Sequence, residues 1–165
     1  MKGVANKMNK MGNMVLQQVG KIVEQSDRIY LLNSCAFDLY GVEFCRQTNK
    51  KLLQSVAFHW LIKRGRRLNK IYGNHAVCAE SELLTWELRC LWKECLLWEK
   101  VCNSNNEIIG LIFGNNKWET ELGKKVHPSI MEFGRESRNA KEIKANMKLY
   151  IEAVAILKEM EDNSD

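Results

Sequence analysis

Residues 75–102 of the chain read HAVCAESELLTWELRCLWKECLLWEKVC and show its clearest periodicity. The positions of one stripe are spaced alternately by four and three residues: Val77, Ser81, Leu84, Leu88, Leu91, Cys95, Trp98 and Cys102. This spacing is the signature of a helix that buries one apolar face. The stretch therefore predicts a single helix over residues 75–102.

The same spacing recurs on both sides of this stretch, whereas the alternation typical of strands is scarce. It predicts three more helices, over about residues 4–40, 42–72 and 129–160. The last of these begins with a capping box, in which Ser129 and Glu132 satisfy the first backbone N–H groups. Residues 107–126 form a shorter element, which the pattern leaves open between helix and strand.

The predicted fold is therefore all-α, an elongated bundle of four long heptad-patterned helices with a short element at 107–126. The chain has 165 residues, of which 45% are hydrophobic and 27% are charged, and these proportions suit one folded domain. We expect that domain to span residues 1–160, followed by a disordered acidic tail at 161–165.

The apolar runs of the sequence are short, and their length bears on membrane insertion and on the cellular compartment of the protein. None approaches the roughly 18 residues of a transmembrane helix, and no signal peptide is visible. We expect a soluble intracellular protein, cytoplasmic or nuclear, with no membrane partner. The six cysteines are then expected to be free thiols, mostly buried, because the cytosol and nucleus keep thiols reduced.

The stripe of the first predicted helix contains two polar residues at core positions. Such residues tend to set the register and the choice of partner in coiled coils. The stripe either completes the core of this chain or packs on another chain, since both use the same helix packing. Its candidate partner-binding residues are Val15, Gln18, Ile22, Gln25 and Ile29.

Three tryptophans, Trp86, Trp92 and Trp98, lie six residues apart, so successive side chains turn by about 120° around a helix. They cannot all face one stripe. A helix with large apolar groups around most of its circumference is either central in its bundle or covered by a partner, and we favour the central position.

Residues 42–73 carry the basic character of the chain, with eight basic residues and one acidic residue. Such a segment suits the phosphates of nucleic acid, and Trp60 or Tyr72 could stack on bases. It also fits a short nuclear-import signal or a solvated helix face. The candidate nucleic-acid-binding residues are Lys50, Lys51, Lys63, Arg64, Arg66, Arg67 and Lys70.

Motifs for catalysis, cofactors and metals are missing from the sequence. No glycine-rich phosphate loop is present, and no C-x-x-C pair supplies the compact ligand spacing of zinc sites. None of the three histidines pairs by spacing with a nucleophile. We expect no cofactor, no metal and no enzyme. The predicted function is a helical scaffold or adaptor that binds protein partners or itself, with nucleic-acid binding as the alternative.

Overall fold

A computed structural model describes residues 3–19, 23–37, 48–68, 73–134 and 139–164. Within these residues the chain contains eight α-helices and no strand, which confirms the all-α class. In chain order the helices are α1 (Gly3–Val19), α2 (Gln25–Leu32), α3 (Thr48–Gly65), α4 (Asn74–Glu80), α5 (Trp86–Asn103), α6 (Glu107–Phe113), α7 (Glu121–Ser129) and α8 (Ala140–Ser164).

One turn of π-helix extends α2 to Phe37, and another extends α7 to Gly134. Lys117–Glu119 form a short 3₁₀ turn between α6 and α7. None of the helices in the described ranges combines the length and the apolar character that a bilayer crossing requires.

The prediction of one helix over residues 4–40 is wrong, because two helices occupy this stretch. α1 ends at Val19 and α2 begins at Gln25, and Glu24 between them has an extended backbone with φ −62° and ψ 159°. The four–three spacing continues across this break because an apolar stripe requires only that each helix bury one face. A stripe therefore does not show that the backbone is continuous.

The long helices predicted over 42–72 and 75–102 are also wrong in extent. α3 ends in a Schellman motif, in which Leu68 N–H donates to the Lys63 carbonyl at 2.8 Å. α4 ends in the same way, with Leu83 N–H donating to the Cys78 carbonyl at 3.0 Å.

The left-handed position of these two motifs is usually a glycine, but here it is Arg67 in one and Glu82 in the other, each with φ 56°. Neither helix end therefore has a glycine at the left-handed position, which is the residue that usually marks a helix end in a sequence.

Residues 107–126 contain α6, the 3₁₀ turn and the start of α7, joined by short non-helical segments, so this element is helical and not a strand. The last helix predicted over 129–160 begins later. Ser129 lies inside α7 and forms no capping box, whereas Asn139 caps α8 by accepting from Lys141 N–H at 2.9 Å. α8 continues through Ser164, where a disordered tail was expected.

Contacts group the chain into two compact units, Met1–Glu87 with Tyr150–Asp165, and Leu88–Leu149, where the sequence predicted one domain. The first unit is centred on aromatic rings, with Phe58 4.5 Å from Phe37 and 5.2 Å from Trp86. In the second unit Trp98 stacks on Trp118 at 4.7 Å. Trp86 is buried in the first unit and Trp98 in the second, whereas Trp92 is half-buried, so a central position for α5 stays a prediction.

Gly123 marks the closest backbone approach in the second unit. A Cβ atom added there would meet Trp118 Cα at 2.7 Å and Trp118 O at 2.9 Å. Backbone atoms cannot rotate away, so the whole 3₁₀ turn would have to move. Gly110 in α6 is the opposite case, because an added Cβ would meet nothing within 4 Å.

We expect Gly123→Ala to lower the free energy of unfolding by about 2 kcal/mol through overpacking. The matched change Gly110→Ala should raise it by about 0.5–1 kcal/mol, because alanine favours the helix. Urea denaturation of both variants measures the difference. Equal effects at the two positions would show that the close approach at Gly123 is not a constraint.

Candidate partner-binding groove

α1 and α3 pack closely because Gly12 has no side chain. A Cβ atom at Gly12 would lie 2.6 Å from the Leu61 side chain, which is fully buried. Met8, one turn earlier on α1, is also fully buried. The inner faces of the two helices therefore meet with no space for a larger residue at Gly12.

An open groove of about 500 Å³ runs along the outer edges of this helix pair. α1 contributes Asn6, Asn9 and Asn13, spaced by three and then four residues, and α3 contributes residues with the same spacing. These are Leu53, Val56 and Trp60, with Ala5 and Ala57 between the walls. Each wall therefore presents one side-chain stripe, two turns long, to the groove.

The α3 wall of the groove is apolar and exposed. Leu53 is 56% exposed, Val56 is 62% exposed, and Trp60 is 37% exposed. Single exposed apolar residues are ordinary on protein surfaces. Three of them in one groove form an apolar patch, and the hydration of such a patch is unfavourable. Burial of such a patch by a partner is favourable in proportion to its area.

Polar groups sit along the α1 wall and at one end of the groove. The side-chain oxygen of Asn9 is buried and accepts no hydrogen bond within the described residues. Arg64 donates to the side-chain oxygen of Asn13, and its guanidinium carbon lies 5.1 Å from the centroid of Trp60. The cation is thus fixed at the end of the groove by a hydrogen bond and by the ring face.

The helices that form the groove are basic. α1 contains Lys7 and Lys10, and α3 contains four basic residues, Lys50, Lys51, Lys63 and Arg64. Neither helix contains an aspartate or a glutamate. A charged ligand that enters the groove therefore gains most if it is acidic.

The five candidate partner-binding residues from the first stripe do not lie on one helix. Val15 is half-buried and Gln18 exposed on α1, whereas Gln25 and Ile29 belong to α2. Gln25 donates to the Arg66 carbonyl at 2.6 Å, and Ile29 is buried. Ile22 lies outside the described residues. The structure thus gives Gln25 and Ile29 contacts within the chain.

The basic candidates are spread over several environments. Lys50 and Lys51 lie in the first turn of α3, Lys63 and Arg64 in its last turn, and Arg66 and Arg67 in the turn that follows. Arg66 is paired with the Glu80 carboxylate at 3.4 Å and also faces Ser81 Oγ at 3.3 Å. Arg67 is exposed, and Lys70 lies outside the described residues.

Arg28 is a buried cation that stabilises the fold, and the sequence pattern did not indicate this role. It is only 5% exposed, and its Nε donates to the Gly65 carbonyl at the end of α3 at 2.7 Å. It also donates to the Val23 carbonyl. A buried cation that caps a helix C-terminus is favourable because it satisfies carbonyls that the helix leaves unpaired.

A buried polar cluster at His59 joins α3 to the start of α5. His59 Nδ1 lies 2.8 Å from the Ser55 carbonyl, and Nε2 accepts a long hydrogen bond of 3.5 Å from Trp86 N–H. Ser55 Oγ donates to the Glu87 carboxylate. This pattern assigns the proton to Nδ1 and leaves no basic nitrogen facing Ser55, so the cluster does not activate the serine as a nucleophile.

Burial lowers the pKa of His59, and this effect exceeds the opposing effects of Glu87 and of the hydrogen bond with the Ser55 carbonyl; Lys63 and His75 lower the pKa further. The unfolded chain then binds a proton at His59 at a higher pH than the folded chain does. The stabilising effect of neutral His59 is therefore complete above about pH 6.5 and is lost as the pH falls below that value.

We expect the free energy of unfolding to drop between pH 7.5 and 5.5, by about 1 kcal/mol more in the wild type than in His59→Gln. Urea denaturation at both pH values measures it. If the variant shows the same pH dependence as the wild type, His59 is not the group that titrates.

The described cysteines are free thiols, as expected; Cys78, Cys90 and Cys95 are buried, Cys102 is half-buried and Cys35 is exposed. Cys45 lies outside the described residues. Burial raises the pKa of Cys78 to about 12 and that of Cys95 to about 12, with smaller contributions from Glu87 and Glu94 respectively. No group of three or more potential metal ligands occurs within the described ranges.

Among the described cysteines, iodoacetamide at pH 7.5 should therefore modify Cys35 first, because alkylation needs an accessible thiolate. Cys78 and Cys95 should react only after denaturant is added. Peptide mapping by mass spectrometry reads the order. Modification of Cys78 in the native protein as fast as Cys35 would contradict the buried, protonated state.

No protein-family model, no curated protein and no solved structure matches this chain.

Leu53, Val56 and Trp60 could have been found in the sequence by the width of the apolar face. The other apolar residues of α3 that face inward are Ala57, Phe58, Leu61 and Ile62. Together the apolar positions cover an arc of about 240° at 100° per residue. An arc far wider than one buried face needs is a signal of a second contact surface.

Proposed function

We propose that this chain is a protein–protein interaction subunit whose groove between α1 and α3 binds an acidic amphipathic helix. The observation that carries the proposal is the exposed apolar wall of Leu53, Val56 and Trp60, placed between two helices without acidic residues. The role is that of a scaffold or adaptor that holds a partner through coiled-coil-like packing.

Each part of the groove would contribute differently to binding in such a complex. Leu53 and Val56 would bury against apolar side chains of the incoming helix, and Trp60 and Arg64 belong to the residue types that concentrate binding energy. Asn9 lines the α1 wall of the groove, and a polar residue in a helical seam sets register. The asparagines thus select a partner, while the apolar wall supplies affinity.

The thiol state supports an intracellular place of action, cytoplasmic or nuclear. The described cysteines are free, and reducing compartments maintain free thiols. No step of the proposed role uses a catalytic group or a cofactor.

Nucleic-acid binding remains the second candidate because of one observation, the exposed Trp60 beside Arg64 on an acid-free helix. A base could stack on such a ring while phosphates contact the basic residues. However, Arg66 already pairs with Glu80, and Leu53 and Val56 offer no polar group to a nucleotide. The apolar wall therefore favours a protein helix.

A photo-cross-linking amino acid at Val56 tests the proposal in the native cells. We expect an adduct with a protein segment of helical apolar spacing and net negative charge, and a loss of most of that adduct when Leu53→Glu is added. The control position is Leu111 on α6, which is 84% exposed and lies outside the groove. Its adducts should be unaffected by Leu53→Glu.

Three results would overturn the proposal: no adduct at Val56, the same adducts at Val56 and Leu111, or an adduct with nucleic acid. The last would favour the second candidate. It would then be confirmed by an affinity that falls steeply with salt and after charge reversal at Lys63 and Arg64.

A further inference from the structure

The C-terminal half of α8 carries a second exposed apolar stripe. Ala153, Ile156 and Met160 are spaced by three and then four residues, and Leu157 widens the stripe to an arc of about 100°. Ile156 is 58% exposed and Met160 is 62% exposed. The opposite face of the same helix is occupied, since Ile151 is buried and Lys158 Nζ lies 3.4 Å from His75 Nδ1.

This half of α8 is also acidic. Residues 150–165 contain five acidic residues and one basic residue. Glu152 and Glu159 are exposed and lie together on one side of the stripe, about 100° from its centre. The segment is therefore an acidic amphipathic helix, which is the class of ligand that the groove is proposed to bind.

The stripe and the groove match in length as well as in charge. Residues 153–160, residues 6–13 and residues 53–60 each span two helical turns, about 10 Å, with the same spacing of three and then four residues. Equal spacing lets the side chains of one helix enter the gaps between those of the others along the whole groove.

We propose that the groove between α1 and α3 of one copy binds the C-terminal half of α8 of a second copy. This inference rests on the proposed function, because it names the occupant of the same groove. Ile156 and Met160 would face Leu53, Val56 and Trp60, while Glu152 and Glu159 would lie near the basic residues of α1 and α3. The two surfaces differ, so the contact is heterologous and closes only if each copy exchanges both surfaces with the other.

Packing of two α8 helices against each other is the less favourable alternative. The stripe has acidic residues on its flank, so two copies facing each other would bring Glu152 and Glu159 near like charges. The groove instead offers opposite charge. Interaction between the groove and α8 therefore satisfies both the apolar and the charged parts of α8.

Sedimentation of the full-length wild-type chain up to about 1 mM tests the inference. We expect concentration-dependent association in the wild type, and a monomer for Val56→Glu, which blocks the groove, and for Ile156→Glu, which blocks α8. An equimolar mixture of the two variants should regain a dimer, because one intact groove then meets one intact α8. Leu111→Glu should associate like the wild type.

A wild type that stays monomeric, association that survives Val56→Glu, or a mixture that stays monomeric would each overturn the inference. Association that survives Val56→Glu but not Ile156→Glu would indicate α8 packing on α8. Far-UV circular dichroism and urea denaturation confirm that the variants fold, which the exposure of both sites favours.

Cross-linking at Val56 separates this inference from the proposed function. In purified protein the adduct should map to residues 150–164 of a second copy. If purified protein gives no adduct while cells give one with another acidic helix, the second-copy inference fails and the proposed function stands. If neither gives an adduct, both fail.

Discussion

The contact between Gly12 and Leu61 sets the geometry of the groove between α1 and α3. Because Gly12 has no Cβ, α1 approaches α3 until the Leu61 side chain fills the remaining space. That approach buries Met8 and the inner face of α3, and it leaves the outer faces as the walls of the groove. A larger residue at Gly12 would separate the helices and change the width of the groove.

Polar groups hold this first unit together from within. Arg28 satisfies the end of α3, and His59 ties α3 to the first turn of α5 through Ser55 and Glu87. Arg28 and His59 hydrogen-bond to backbone groups, and Ser55 hydrogen-bonds to the Glu87 carboxylate, so these polar groups connect the elements of the unit.

The groove and the C-terminal half of α8 are opposite in charge and alike in spacing. One chain therefore carries both a groove between two basic helices and an acidic amphipathic helix. Under the proposed contact the protein would assemble with itself, and a different acidic helix of higher affinity would displace the second copy from the groove. Competition of this kind would couple assembly to partner binding, since one groove holds one helix at a time.

The sequence by itself determined the all-α class and the basic character of the 42–73 segment. Hydrophobic spacing and composition are local properties, and these features follow from them. The sequence also contains the apolar face of α3, which is wider than one buried face needs.

Only the tertiary structure decided where the helices end and which stripes face outward. α3 and α4 end with Arg67 and Glu82 in the left-handed conformation, so no glycine occupies the position at which it usually marks a helix end. Ser129 could cap a helix in the sequence, but packing places it inside α7. The groove depends on residues of α1 and α3 about 47 positions apart, Asn9 and Val56 for example, and no local pattern records that they meet.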